Sequence, residues 1–252
     1  MYKEFFEFLL NKGESYETVL PERFNIDAWK GHKLRQIVTQ KGSFLKNLYQ
    51  FDHVEFGITV ADARAMALST RKLVEHSLLS LLNAGIEYRG RNVGCYMSGV
   101  VFGIQSMADP DVYEARGTFA GYSYSIANKV SYHLDLVGPS LPTDTACSST
   151  VSALHLAVQA LRAEECETVL IGGSQLNHRL VDWIQYSTGS LLSPDRKCKP
   201  FDASANGFGR GEGACVVVLK PLNAAICDDD NIHALRAFPM ASQLVTNKFD
   251  RS

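Results

Sequence analysis

Cys147 is the residue of this sequence best placed to do chemistry. It lies in the segment DTACSST, residues 144–150, between a short extended run and a stretch whose apolar spacing predicts a helix. A thiol at that junction faces the unpaired N–H groups and the positive end of the helix dipole, and both favour the nucleophilic thiolate. The same N–H groups could hold the oxyanion formed when a thioester carbonyl is attacked. The alternative is that Cys147 is a small buried hydrophobe, as most free cysteines are.

The residues on either side of Cys147 predict a strand–helix–strand unit. Residues 141–146 form a short extended run, and residues 168–171 form an apolar strand that ends at Gly172 and Gly173. Between the two strands, apolar side chains recur on one helical face: Val151, Leu154, Val158 and Leu161. A strand, a helix and a strand within about 30 residues make a βαβ unit, which implies a parallel sheet.

Further segments extend this α/β pattern along the chain. The apolar run at residues 214–219 predicts a strand buried on both faces, and the glycine-dense loop GFGRGEG at residues 207–213 leads into it. The remaining elements are predicted from helical spacing, small residues and apolar runs: helices over residues 61–84 (ended by Gly85) and 119–132, and strands over residues 92–98 and 232–237. The sequence therefore predicts an α/β fold with a mostly parallel sheet and flanking helices.

The composition excludes several classes of protein. The chain has 252 residues, of which 46% are hydrophobic and 21% charged, so it can fold around a large core. The net charge of −2 gives no electrostatic case for a nucleic-acid or anionic-membrane partner. The six cysteines include no CxxC pair, which indicates reduced thiols, and no apolar run approaches the ~20 residues of a membrane span. We therefore expect a cytoplasmic protein.

The sequence also lacks the motifs of resident cofactors and metals. The loop GFGRGEG does not match the dinucleotide motif, and no P-loop, HExxH motif or spaced Cys/His cluster occurs. No GxSxG element marks a serine acyltransferase. We therefore expect no bound cofactor and no metal, and we interpret the glycines of the loop as sites of a tight turn and close backbone packing.

The chain resembles the N-terminal half of a β-ketoacyl synthase. The resemblance rests on DTACSS followed by ALHLA, on LLSPDRKCKPFD and GRGEGACVVVLKPL, and on YSIANKVSYHLDLVGPS directly upstream of the cysteine. PERFNIDAW at residues 21–29 and FDHVEFGITVADARAM at residues 51–66 are similar to opening segments of ketosynthases from polyketide synthases and type I fatty acid synthases. The resemblance implies a thiolase-like fold, of which this sequence matches the N-terminal half only.

The resemblance implies roles for two residues. Cys147 would accept an acyl group as a thioester, either from the phosphopantetheine arm of an acyl carrier domain or from coenzyme A. The acyl-enzyme would then condense with the carbanion of a decarboxylated malonyl thioester, in fatty acid or polyketide biosynthesis. Phe208 matches a family position that lines the acyl pocket, with a loop aromatic packed against the sheet as the equal alternative. Ketosynthases are dimers, so the resemblance also implies a homodimer.

The histidines depart from the family pattern. Ketosynthases hold the malonyl carbonyl with two histidines, in HGTGT-type and NxGH-type motifs of the second half, and neither motif occurs here. His155 follows Cys147 by eight residues, ~12 Å along the same helix, so it is not the base. The resemblance implies that His155 is a structural residue, and His233 is expected to have a packing role in a strand. A second departure is ALSTR at residues 67–71, where the family reads close to DPQQR. We therefore expect acyl transfer to Cys147 but not condensation by this chain alone.

The sequence predicts three segments and leaves two other functions open. Residues 1–52 would lead into the domain, residues 53–237 would form the ketosynthase N-terminal half with the nucleophile, and residues 238–252 would be a divergent tail. Without a second half, a large apolar surface should be exposed. The alternative function is a non-catalytic, truncated ketosynthase fragment, an interaction or pseudo-enzyme module that binds a full-length ketosynthase. A cysteine hydrolase is the remaining option, but the sequence positions no base for it.

Overall fold

The computed structural model describes residues 2–31, 36–100 and 122–235. In these residues the α-helices are α1 (Tyr2–Leu10), α2 (Val60–Ala65), α3 (Leu68–Ala84), α4 (Ser125–Leu134), α5 (Ser149–Arg162), α6 (Leu180–Thr188) and α7 (Leu222–Cys227), with a 3-10 turn at Asp27–Trp29. The strands are β1 (Glu17–Thr18), β2 (Lys41–Ser43), β3 (Val93–Gly99), β4 (Ser140–Pro142), β5 (Thr168–Gln175), β6 (Arg210–Gly211) and β7 (Gly213–Leu219).

The main sheet has four strands in the order β4-β3-β5-β7. β3 pairs in parallel with both β4 and β5, and β7 pairs antiparallel with β5 along its whole length. A smaller sheet joins β1, β2 and β6, so the glycine-dense loop is hydrogen-bonded to the N-terminal residues of the chain. The predicted α/β class with a mostly parallel sheet is confirmed.

The main sheet is covered on both faces, which makes three layers. Because side chains alternate along a strand, Cys95 and Met97 of β3 pack towards α3 and α4, while Tyr96 packs towards α5. β5 divides in the same way, since Leu170 joins the α3 and α4 side and Val169 the α5 side. β3 and β5 are therefore buried almost throughout, as parallel strands between helical layers usually are.

The helix after Cys147 buries most of the predicted face, since Leu154 and Leu161 pack, partly buried, against the cluster that contains Tyr96 and Val169. Val158 is buried as expected, but Val151 is 67% exposed. The residues that face the sheet are alanines: Ala153, Ala157 and Ala160. Small side chains let the helix lie close to the strands, and a search for large apolar residues at helical spacing does not detect such a face.

The helix predicted over residues 61–84 is two helices. Met66 and Ala67 have extended backbone conformations between α2 and α3, and both side chains are buried in the main core. Thr59 starts α2 by accepting a hydrogen bond from the Asp62 N–H at 3.1 Å. Gly85 ends α3 in the left-handed conformation, with φ of 76°, as predicted. Tertiary burial of Met66 therefore overrides the local helical pattern.

Other predicted boundaries shift by several residues. The strand predicted to end at residue 171 continues to Gln175 through Gly172 and Gly173. The strand over residues 92–98 is β3, and the helix predicted over residues 119–132 is α4, with residues 119–121 outside the described residues.

The last two predicted strands are corrected. β7 is an antiparallel edge strand rather than one buried on both faces, and its Val217 is 49% exposed. Residues 232–235 form no strand, and residues 236–237 lie outside the described part, as does the predicted tail at residues 238–252. The proposed segment boundaries at residues 52 and 237 stay predictions. Among the described helices, none is long and apolar enough to cross a membrane.

Candidate active site

Cys147 lies on a sharp turn between β4 and α5, with its side chain exposed. The preceding residue, Ala146, has a φ of 56°, in the left-handed region that non-glycine residues rarely adopt. Such a conformation costs of order 1–3 kcal/mol and persists only where its surroundings hold it. The turn therefore presents the thiol at the start of α5, where the sequence placed it.

Hydrogen bonds from both sides of the turn hold Ala146 in this conformation. Its N–H donates to the Asp144 carboxylate at 3.1 Å, and its carbonyl accepts from the Ser149 hydroxyl at 2.6 Å. The Ser149 hydroxyl also accepts from the Thr145 N–H at 2.9 Å. Ser148, at the N-cap, makes no side-chain capping bond, so it does not occupy the N–H groups of the first turn of α5.

The thiol opens into a cleft of about 1480 Å³ at the carboxyl ends of β3 and β5. Open α/β sheets bind ligands at this edge. Ser98 and Gln175 line the cleft from the strand ends, and Phe208 lines it from the glycine-dense loop. The structure thus brings the two residues singled out by sequence, Cys147 and Phe208, into one cleft.

The first turn of α5 lies directly against the backbone of β5. A Cβ atom built at Gly173 would be 2.3 Å from the Thr150 Cγ2 atom, closer than real carbon atoms approach. The first turn of α5, which follows Cys147, lies so close to β5 that only glycine fits at position 173.

We expect Gly173→Ala to destabilise the chain by about 1–3 kcal/mol, because the added methyl group forces Thr150 to move. Thr150→Ser removes the Cγ2 atom, so the double variant should recover part of the loss. Urea unfolding of both variants measures this, with Gly211→Ala as the control, since a Cβ there meets nothing within 4 Å. Equal destabilisation with and without Thr150→Ser would contradict the steric explanation.

A buried carboxylate fixes the loop on which Phe208 lies. The Glu212 side chain is 0% exposed and accepts hydrogen bonds from Arg23 Nη2 at 2.8 Å, Leu45 N–H at 2.7 Å and Asn177 N–H at 2.8 Å. These donors come from the N-terminal residues and from the segment after β5. One carboxylate thus joins three distant parts of the chain beside the cleft.

Arg210 extends the network to the aromatic residues of α6. It is buried, and its Nη2 donates to the Asn177 side chain, whose Nδ2 donates to the Gly211 carbonyl at 2.7 Å. Its guanidinium carbon lies 4.3 Å from the ring centroid of Tyr186 and 5.8 Å from that of Trp183. These are distances at which a cation is attracted to the face of a ring.

His178 follows Asn177 of this network, and its imidazole is kept neutral mainly by burial. Burial, with smaller contributions from the cationic side chains of Arg179 and Arg23, lowers the pKa of His178 to about 4. Its Nδ1 atom is buried and has no hydrogen-bond partner among the residues that the structure describes.

The low pKa of His178 predicts acid destabilisation. Between pH ~6.5 and ~4 the unfolded chain binds a proton at His178 that the folded chain does not, so stability falls as the pH falls through this window. We expect a loss of about 2 kcal/mol after allowing for partial solvent exposure. Burial also lowers the pKa values of His76 and His133, so the measurement is the difference between wild type and His178→Gln. Parallel stability curves against pH for the two proteins would contradict the prediction.

The structure decides where the other predicted residues lie. Phe208 packs edge-on against Tyr186, with ring centroids 6.0 Å apart at 87°. His155 is exposed on α5 and does not line the cleft. His233 is not in a strand: it is exposed, and its Nε2 lies 2.6 Å from the Asn83 Oδ1. The predicted packing role of His233 in a strand is therefore wrong, because the side chain is exposed.

Sequence reasoning missed Tyr186, Arg210 and Glu212. The two charged residues stand in the loop GFGRGEG directly before a strand that enters the core. Charged side chains are buried only when they are paired, so charges at that position indicate a buried ion pair. Tyr186 carries no comparable local signal. Within the described ranges, no group of three or more His, Cys, Asp or Glu side chains could hold a metal ion.

Comparison with known proteins identifies the family. The sequence profile described as "Beta-ketoacyl synthase, N-terminal domain" matches residues 2–225. The chain belongs to the β-ketoacyl synthase family. The predicted family and thiolase-like fold of the N-terminal half are thereby confirmed.

Relatives of this chain include polyketide synthases. The highly reducing polyketide synthase stpks1 of Strobilurus tenacellus is 54% identical over 233 residues, which is 92% of this chain and 8% of that protein. A variant of the ketosynthase from module 6 of the Bacillus subtilis 168 bacillaene synthase superposes with a TM-score of 0.79 at 27% identity, covering 91% of this chain and 39% of that one.

A second solved ketosynthase superposes on this chain about as well as the first. The oxazolomycin ketosynthase domain of Streptomyces albus JA3453 gives a TM-score of 0.77 at 26% identity, covering 91% of this chain and 42% of that one. The chain thus spans under half of these two ketosynthases and 8% of the polyketide synthase stpks1.

Proposed function

We propose that Cys147 accepts an acyl group from a phosphopantetheine or coenzyme A thioester, as the acyl-transfer step of β-ketoacyl synthesis on polyketide or fatty acid intermediates. The observation that carries this proposal is the exposed thiol at the start of α5, opening into a cleft that also contains Phe208. Membership of the β-ketoacyl synthase family supports the reaction type.

The step follows from the position of the thiol. The Cys147 thiolate attacks the thioester carbonyl carbon, a new carbon–sulfur bond forms, and the bond to the phosphopantetheine or coenzyme A sulfur breaks. The departing thiolate takes up a proton from water. The N–H groups of the first turn of α5 point towards the end of the helix where the oxyanion develops, and their dipole favours negative charge there.

Condensation needs groups beyond those that line the cleft. Among the described lining residues none is a histidine, and the family uses two histidines to decarboxylate the malonyl thioester. We therefore propose acyl loading for Cys147 and assign no described residue of the cleft to carbon–carbon bond formation. An acyl carrier domain is the proposed partner that delivers the acyl group, and a homodimer is the proposed assembly.

Intact-protein mass spectrometry after incubation with hexanoyl-coenzyme A tests the proposal. We expect a mass increase of one acyl group, which peptide mapping places on Cys147. Circular dichroism on the same sample establishes that the chain is folded. A folded chain that takes up no acyl group would overturn the proposal and favour a non-catalytic fragment that binds a complete ketosynthase.

A further inference from the structure

We propose that Tyr186 limits the length of the acyl chain that the cleft accepts. Tyr186 lines the same cleft as Cys147, from α6. The inference rests on the proposed acyl transfer, because it concerns the tail of the group that Cys147 would carry.

Tyr186 and Phe208 together form an aromatic wall of the cleft. The two rings meet edge to face, with centroids 6.0 Å apart, in the geometry that aromatic pairs prefer. Phe208 also packs on the cluster of buried residues around Trp183 and Leu192. Tyr186 packs on the same cluster, so both rings of the wall are anchored in a second hydrophobic core, separate from the core of the main sheet.

Arg210 supports the Tyr186 side of the wall. The Arg210 side chain is buried, lies against the Tyr186 ring and is fixed by its bond to Asn177. Displacing the Tyr186 ring would remove the cation–ring contact of a buried guanidinium, which is a costly change.

The loop behind Phe208 also lacks space to move. A Cβ atom built at Gly209 would be 2.2 Å from the carbonyl oxygen of Arg196, and one at Gly207 would be 2.6 Å from the backbone of Leu192. Neither ring of the wall can therefore yield to a longer ligand without disturbing packed backbone.

A rigid apolar wall selects ligands by length. Each methylene group of the acyl chain that is buried in an apolar site raises the affinity for that chain roughly fourfold. A methylene group that the wall excludes from the cleft adds no affinity. Shortening Tyr186 to alanine opens space for several methylenes, so we expect the preference for a long over a short acyl chain to rise at least about tenfold.

Rates of acylation measure this preference. Butanoyl-coenzyme A and dodecanoyl-coenzyme A are compared on wild type and on the Tyr186→Ala, Tyr186→Leu and Tyr186→Phe variants, with Tyr132→Ala as the control because Tyr132 is exposed outside the cleft. We expect the long-to-short ratio to rise in the alanine variant, to rise less in the leucine variant, and to keep its wild-type value in the phenylalanine variant and in the control. The leucine variant retains an apolar side chain in the cluster and keeps the test valid if the alanine variant unfolds.

A second readout separates this inference from the proposed acyl transfer. N-ethylmaleimide and N-octylmaleimide alkylate Cys147 without any acyl-transfer step, and the ratio of their rates at Cys147 should change in the same way. Peptide mapping separates this reaction from those of the other exposed thiols: Cys198, Cys215 and Cys227. A wild-type chain that reacts with maleimides but not with acyl thioesters disproves the proposed function, while the maleimide ratio still decides the role of Tyr186. Ratios unchanged with both kinds of reagent in a folded Tyr186→Ala or Tyr186→Leu variant would overturn the inference.

Discussion

Cys147→Ala is expected to lower the rate of acylation by hexanoyl-coenzyme A roughly a hundredfold or more, because loss of a catalytic nucleophile removes the covalent route. The described residues include three other exposed thiols: Cys198, Cys215 and Cys227. These could exchange slowly with thioesters and set the background. The prediction is therefore that Cys147 is acylated faster than the other exposed thiols. Detecting an acyl group on the chain is not enough to test it.

Cys227 is the matched control for this prediction. It is exposed like Cys147, but it is the last residue of α7 and so lies at the negative end of a helix. The dipole at that end opposes the negative charge of an oxyanion formed beside the sulfur, whereas the dipole at the start of α5 stabilises it. We expect Cys227→Ala to leave the acylation rate unchanged. Equal rates for Cys147→Ala and wild type, measured by intact mass over time, would show that acylation is non-specific.

The two buried cysteines do not complicate the measurement. Burial raises the pKa of Cys95 to about 12, and burial also raises the pKa of Cys166. Both side chains are buried in the main core. They therefore remain thiols at neutral pH and out of reach of the substrate.

The element types and the place of the nucleophile were predictable because they depend on local signals. The apolar run before DTACSST and the helical spacing after it determine a strand–helix junction, and that junction places Cys147. The buried face of α5 was not predictable in the same way, since it consists of alanines whose burial depends on the sheet they meet. Val151, which the spacing placed in the core, is exposed for the same reason.

The aromatic wall of the cleft depends on contacts between distant parts of the chain. Tyr186 meets Phe208 and Arg210 across more than 20 residues of sequence, and no periodic pattern encodes that meeting. The antiparallel direction of β7 is also a tertiary result, because an apolar run has the same appearance in either direction. Motif resemblance identified Phe208, while only the fold shows that Tyr186 lies beside it.

Glu212→Ala is expected to destabilise the chain by about 3–5 kcal/mol, which is roughly a fifth or more of the stability of an ordinary domain. The variant leaves the Arg23 guanidinium, whose side chain is 1% exposed, without its carboxylate partner. It also leaves the N–H groups of Leu45 and Asn177 without an acceptor. Urea unfolding followed by circular dichroism measures the loss.

The exposed ion pair between Lys197 and Glu14 is the control for burial. Its atoms are 2.6 Å apart, closer than the 2.8 Å of Arg23 and Glu212, but its side chains are 57% and 58% exposed. Water screens this pair, so Glu14→Gln should cost less than about 1 kcal/mol. A loss as large as that of Glu212→Ala would show that the contact distance, rather than burial, determines the effect.

A double replacement tests why the buried pair matters. One explanation for the loss of stability in Glu212→Ala is the Arg23 charge, which stays buried without its carboxylate partner. In that case the double variant Arg23→Met, Glu212→Leu should be more stable than Glu212→Ala, because neither charge remains buried. Recovery should be incomplete, since the Asn177 N–H still lacks an acceptor. A double variant no more stable than Glu212→Ala would assign the loss to the backbone donors. In that case the carboxylate acts mainly as the acceptor that joins the N-terminal residues, the segment after β5 and the loop carrying Phe208.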